Sequence, residues 1–192
     1  MTADDLTAGP GLVLPGGRRR PGTAVDEREP GPAPVTVLGI GNPIMTDDGT
    51  GLELLAAVSA ARPDPRVRYL DGGTGGMELV PVVQEAERLL LLDAVAGPRP
   101  GVAVRLSGDH LPRLLAGTLS PHQVGLLDVL SAARLLGRTP ATIEVVGIVP
   151  ASVELGLGLT PQVRAAVPAA VRASVSVLDE WLAELPAAVG QP

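Results

Sequence analysis

The sequence predicts an α/β fold: a three-layer sandwich with a mostly parallel, twisted sheet of about five strands and helices on both faces. Three observations point there. Short aliphatic runs alternate with helix-period segments from Val35 onward, the pattern of repeated strand–helix units. Hydrophobic residues make up 45% of the chain, yet there is no Phe, one Trp (Trp181) and one Tyr (Tyr69). The core is therefore built from Leu, Val, Ile and Ala, which suits a parallel sheet covered on both sides. The run Val35–Gly51, VTVLGIGNPIMTDDGTG, passes from an apolar strand through a glycine-rich turn to two adjacent acids and then into a helix. Open α/β sheets build active sites by delivering side chains to their carboxyl edge in this way.

The elements follow in order. Val35–Ile40 is a strand, and Leu52–Ala61 is a helix ended by Arg62-Pro63. Val67–Leu70 is a strand running into the turn Asp71-Gly72-Gly73-Thr74, and Met77–Glu87 is helical, with Pro81 expected to kink it. Leu89–Leu92 is a strand closed by Asp93, and Val102–Leu106 is another. Val124–Leu136 is an apolar helix, Ile143–Val149 a strand, and Val163–Leu185 a long amphipathic helix with a bend expected near Pro168. These elements fill one domain, residues 34–187. Residues 1–33 are rich in Pro, Gly and Arg with no apolar period, which predicts a disordered tail. Residues 188–192 form a short C-terminal tail. The three arginines Arg18–Arg20 read as part of a solvated tail before they read as a contact for an acidic partner.

Composition removes several function classes. The net charge is −6 and no basic patch with interleaved aromatics is visible, so nucleic acid is not an expected partner. Without cysteine, disulfides, thiolate metal sites and Cys nucleophiles are excluded. No apolar run approaches the length of a membrane span, and no basic-then-apolar signal pattern opens the chain; a cytoplasmic protein is expected. No coiled-coil pattern requires a dimer, so a monomer is expected. The Gly39-x-Gly41 turn lacks the third glycine of a dinucleotide loop and the Lys-Ser/Thr ending of a P-loop. No GxSxG elbow is present.

The chemistry-bearing residues are few. Asp47 and Asp48 precede a helix, where one of them can serve as its N-cap while the other faces the cleft. Asp93 follows a fully apolar strand and so sits at the sheet rim, where it either caps the next segment or takes part in a site. Asp71 has the same placement, but Gly72-Gly73 after it favours a turn-forming role. Of the two histidines, His110 lies in a polar loop. His122 lies in Ser120-Pro121-His122-Gln123, a capping box that places it in the first turn of a helix. The positive end of the helix dipole disfavours imidazolium there, and neutral imidazole is the form that binds metals. A histidine merely tolerated at a helix start remains an alternative. Together Asp48, Asp93 and His122 compose a mixed carboxylate–imidazole site for a divalent metal such as Zn, Ni or Fe.

At these residues the chain resembles the hydrogenase maturation protease family. The matching segments are Gly39-Ile40-Gly41-Asn42-Pro43, Thr46-Asp47-Asp48-Gly49, Leu70–Thr74, Leu89–Ala94, Ser120–Gln123, Val146–Pro150 and Gly158-Leu159-Thr160-Pro161. The Ser-Pro-His-Gln and Gly-Leu-Thr-Pro pieces are most similar to the uptake-hydrogenase branch. The resemblance spans about Val35 to Leu185, and the N-terminal extension is longer than the family pattern. It implies an endopeptidase that removes the C-terminal extension of a [NiFe] hydrogenase large-subunit precursor. It implies that Asp48, Asp93 and His122 contact nickel that the substrate supplies, and another divalent metal is expected to enter the site in vitro. One chemistry that fits the resemblance is a metal-held water attacking the scissile carbonyl, with Asp48 or Asp93 as base. A nickel-dependent chaperone that holds the same precursor without cutting it, and a small-ligand α/β binding module, are the other function classes that the sequence leaves open.

Overall fold

A computed structural model describes residues 33–107 and 129–186. The N-terminal tail up to residue 32, the C-terminal tail, His110 and the Ser120–Gln123 capping box with His122 lie outside the described residues.

Five strands form one sheet: β1 (Val35–Ile40), β2 (Val67–Gly73), β3 (Arg88–Ala94), β4 (Ala103–Ser107) and β5 (Thr142–Ile148), in the order β2-β1-β3-β5-β4. The pairs β1–β2, β1–β3 and β3–β5 are parallel, and only the edge strand β4 runs antiparallel, against β5. Every residue of β1 is buried, as is every residue of β3 after Arg88. Central parallel strands have protein on both faces, which is why both read as unbroken apolar runs.

Two cores flank the sheet. On one face, Val35, Val37, Leu90, Leu92 and Val146 pack against α1 (Thr50–Ala61) and α4 (Pro161–Glu184), with Trp181 in the same cluster. On the other, Leu38, Ile40, Leu89, Leu91 and Val145 meet α2 (Val80–Glu85) and a helix over residues 129–135, α3. The expected three-layer sandwich is the observed one. Pro81 does not kink a longer helix: a 3-10 turn over Gly76–Leu79 comes first, and Pro81 stands in the opening turn of α2, where its missing N–H is not needed. Helix α4 continues through Pro168, and Thr160 caps it by accepting the Val163 amide at 3.4 Å.

The connections put a crevice above the centre of the sheet. The chain leaves β1 for β2 on one side and returns to β3 on the other. Such a reversal of strand order opens a cleft at the carboxyl ends of the two diverging strands, and here those strands are β1 and β3, with Gly39 opposite Leu92. Helix α1 begins directly on that point. A Cβ on Gly51 would lie 2.1 Å from the Ile40 carbonyl oxygen and 2.2 Å from that of Leu92. Gly41, at φ +145, allows the same closeness within the loop, where a Cβ would lie 2.0 Å from the Asp48 carbonyl oxygen. The glycines of the opening motif thus let the acid-bearing turn sit against the strand ends.

Away from the crevice, Asp64 fixes the turn between α1 and β2. It accepts from the Arg66 guanidinium at 2.9 and 3.0 Å and from the Arg66 amide at 2.9 Å. Arg66 in turn donates to the carbonyls of Leu182 and Pro186 at the end of α4. The Arg66 side-chain hydrogen bonds hold the Asp64 carboxyl down at about 2, against an ordinary 3.8, with the Arg66 amide and the Arg66 and Arg62 charges assisting and burial opposing. A depressed carboxylate stabilises the folded state above its ordinary pKa, and that contribution is lost as pH falls through the folded value. Asp64→Asn is therefore expected to lower stability at neutral pH by about 1 kcal/mol after allowance for solvent screening. Urea titrations at a series of pH values should show wild type and variant converging between about pH 4 and pH 2.

Candidate active site

The turn Thr46–Gly49 is a short 3-10 helix that packs against β3. Asp48 lies in it, 3% exposed, and Asp93 lies on β3, 1% exposed. Two acids from segments distant in sequence are thus buried at the carboxyl edge of neighbouring strands, at the switch point. Asp93 is not the strand's closing residue, as expected, but its penultimate one, paired with Gly147 of β5. By alternation it shares the sheet face of Leu89 and Leu91, the face covered by α2 and α3. One of its carboxylate oxygens accepts the Ala94 amide at 2.7 Å. Both Asp48 and Asp93 have further interactions, so neither carboxylate stands alone.

Asp47 has a different role from the expected one. It caps no helix: the residue before α1 is Gly49, and no side chain caps either the 3-10 turn or α1. Its fully buried carboxylate instead gathers the loop before α4. One oxygen accepts the amides of Ala151 at 2.9 Å and Ser152 at 3.0 Å and the Thr160 hydroxyl at 2.9 Å; the other accepts the Thr160 amide at 2.7 Å. Its own amide donates to the Ser152 carbonyl at 3.2 Å. The hydroxyl of Thr46 reaches the same carbonyl at 2.8 Å. Asp47 is the clamp that holds Asp48 in place, a role that sequence reasoning missed. The only signal was Thr160-Pro161, a cap-like pair whose hydroxyl proves to be shared between Asp47 and the start of α4.

Asp71 is the turn-former expected of it. It is exposed, and its carboxylate accepts the Gly73 amide at 2.9 Å. Beside the acid-bearing turn an open groove of about 280 Å³ is lined by Pro43, Thr46, Gly49, Leu52, Glu53, Ala56, Gly158 and Leu159. Two of its lining residues, Thr46 and Gly158, lie close in the chain to a short parallel bridge between Met45 and Gly156. Of the three residues singled out by the sequence, the structure brings Asp48 and Asp93 to one edge, while His122 lies outside the described residues. Among the described residues alone, no three His, Asp or Glu side chains gather into a metal-binding group.

Comparison with known proteins decides the family. Its sequence model, described as hydrogenase maturation protease, matches residues 52–177. The chain belongs to the hydrogenase maturation protease family. The hydrogenase 2 maturation protease of Escherichia coli K12 is 39% identical over 136 residues, covering 69% of this chain and 83% of that one. The HupD hydrogenase expression/formation protein of Rhodobacter capsulatus is 37% identical over 158 residues, covering 80% and 75%. Among solved structures, the E. coli hydrogenase maturating endopeptidase HybD superposes with a TM-score of 0.70 at 38% identity, over 76% of this chain and 92% of that one. The [NiFe] hydrogenase maturation protease HybD of Thermococcus kodakarensis gives 0.63 at 29% identity, over 74% and 97%. This maturation protease is a hydrolase of α/β architecture, and none of its described helices is long and apolar enough to cross a membrane.

Proposed function

We propose that this maturation protease removes the C-terminal extension of a nickel-loaded [NiFe] hydrogenase large-subunit precursor. The precursor's nickel is recognised by the carboxylates of Asp48 and Asp93 and the imidazole of His122. The observation that carries this reading is the burial of two acids from separate segments at one switch-point edge. Two carboxylates and an imidazole are hard-to-borderline donors that suit a divalent ion of this type. Nickel arrives as part of the substrate, so three protein contacts leave coordination positions for the precursor's own ligands. The chain has no cysteine, and the cleavage is non-covalent: a water attacks the scissile carbonyl and one of the two acids takes its proton. The protein acts in the cytoplasm and as a monomer.

The reading is tested by incubating the full chain with nickel-loaded and nickel-free precursor and following the large subunit by gel mobility. A shift confined to the nickel-loaded precursor is expected. Equal processing of both forms would remove nickel from the recognition step, and processing of neither would remove the protease assignment for that substrate.

A further inference from the structure

Three large aliphatic side chains stand exposed around the Met45–Gly156 bridge: Ile44 at 52%, Leu155 at 79% and Leu157 at 85%. They belong to two paired segments. The Gly156 amide donates to the Ile44 carbonyl and the Thr46 amide to the Gly156 carbonyl, both at 2.9 Å. The inner side of the 155–157 segment is thereby satisfied. The N–H and C=O groups of Leu155 and Leu157 have no hydrogen-bond partner among the described residues. The result is a single bridge residue, Gly156, set between bends and flanked by two exposed leucines whose backbone groups are open to an incoming chain. Its partner Thr46 is two residues before Asp48, and Asp47 locks both segments together through Ser152 and Thr160.

The adjoining groove adds a charge. Leu52, Ala56 and Leu159 give it apolar walls and Glu53 an acid that forms no salt bridge among the described residues. An exposed acid beside apolar walls favours a basic side chain on the occupant, and open backbone groups beside a bridge favour an extended chain that pairs with them.

We infer that the 155–157 segment receives an extended stretch of the large-subunit precursor by backbone pairing, apolar where it meets Leu155 and Leu157 and carrying an arginine or lysine that reaches Glu53. This rests on the substrate proposed above and names how that substrate is held. The segment acts on binding and leaves the chemical step to the acids.

The test uses the full chain and the nickel-loaded precursor. Leu155→Ser with Leu157→Ser should raise KM about tenfold while kcat stays within about twofold, the pattern of lost uniform binding. Glu53→Gln should raise KM by a smaller factor. A control pair, Leu135→Ser with Leu136→Ser, alters exposed leucines at the last residue of α3 and in the turn after it and should change neither constant. Amide exchange at Leu155 and Leu157 should slow when precursor is added. Unchanged KM in the Leu155/Leu157 variant, or unchanged exchange at both amides, would overturn the inference. So would a variant whose sole effect is to dissociate a dimer, since the surface would then belong to a second copy. Retention of the chain on immobilised precursor separates this inference from the proposed activity. Binding without cleavage, weakened by the leucine substitutions, refutes the activity and supports the inference; cleavage with binding unaffected by them does the reverse; no binding at all refutes both.

Discussion

Asp93→Asn, and separately Asp48→Asn, should leave a folded protein whose cleavage of nickel-loaded precursor falls by about 10²–10⁴-fold, the range expected on losing a general base or a charged substrate contact. The substitution keeps the shape of the side chain and removes its charge. That matters at these positions, because both residues are buried at the sheet's carboxyl edge and a smaller side chain would confuse a cavity with a lost function. Asp93 also accepts the Ala94 amide, a bond that the Asn carbonyl can keep. Circular dichroism and urea midpoints near those of wild type, together with the collapse in rate, would place both acids in the reaction. Wild-type rates in both variants would remove them from it.

Asp47→Ala is expected to act on the fold first and on activity as a consequence. The carboxylate receives four hydrogen bonds, three of them from backbone amides of the 151–160 loop. Its removal breaks all four bonds and leaves part-buried donors to find water, and the expected loss is about 2–4 kcal/mol, because each bond to a charged group is worth more than a neutral one. The loop it releases includes Gly156, the partner of Met45 in the bridge beside Asp48. Cleavage should therefore fall even where the sheet is still folded. Urea denaturation measures the first effect and precursor cleavage in the absence of urea the second. A variant as stable as wild type would contradict the clamp.

These contrasts explain what the sequence could disclose. The sheet was legible because β1 and β3 are buried on both faces, and such strands must be aliphatic along their whole length. Asp93 was legible because a charge at the end of an unbroken apolar run has only the sheet's rim to occupy, even though the strand runs one residue past it; Asp48 was legible from the glycine turn that leads from β1 to the next helix. Pro81 was misread because a proline in the opening turn of a helix and a proline within one look alike until the turn before it is known. Asp47 was misread for a deeper reason. Its position just before a helix fits a cap, a local role, while its four partners are more than a hundred residues away in the chain. Nothing in local spacing encodes that closure. The exposed Leu155 and Leu157 were equally silent, since an aliphatic residue in a loop gives no sign of the side on which its backbone is paired.

Proteolysis of a metal-loaded precursor changes the mass of the large subunit, and intact-mass measurement reads that change. After incubation with the wild-type chain, nickel-loaded precursor should lose the mass of a single C-terminal peptide, and the Asp93→Asn reaction should leave it whole. A large subunit of unchanged mass, held in a stable complex with the wild-type chain, would contradict the account and make this protein a keeper of the precursor.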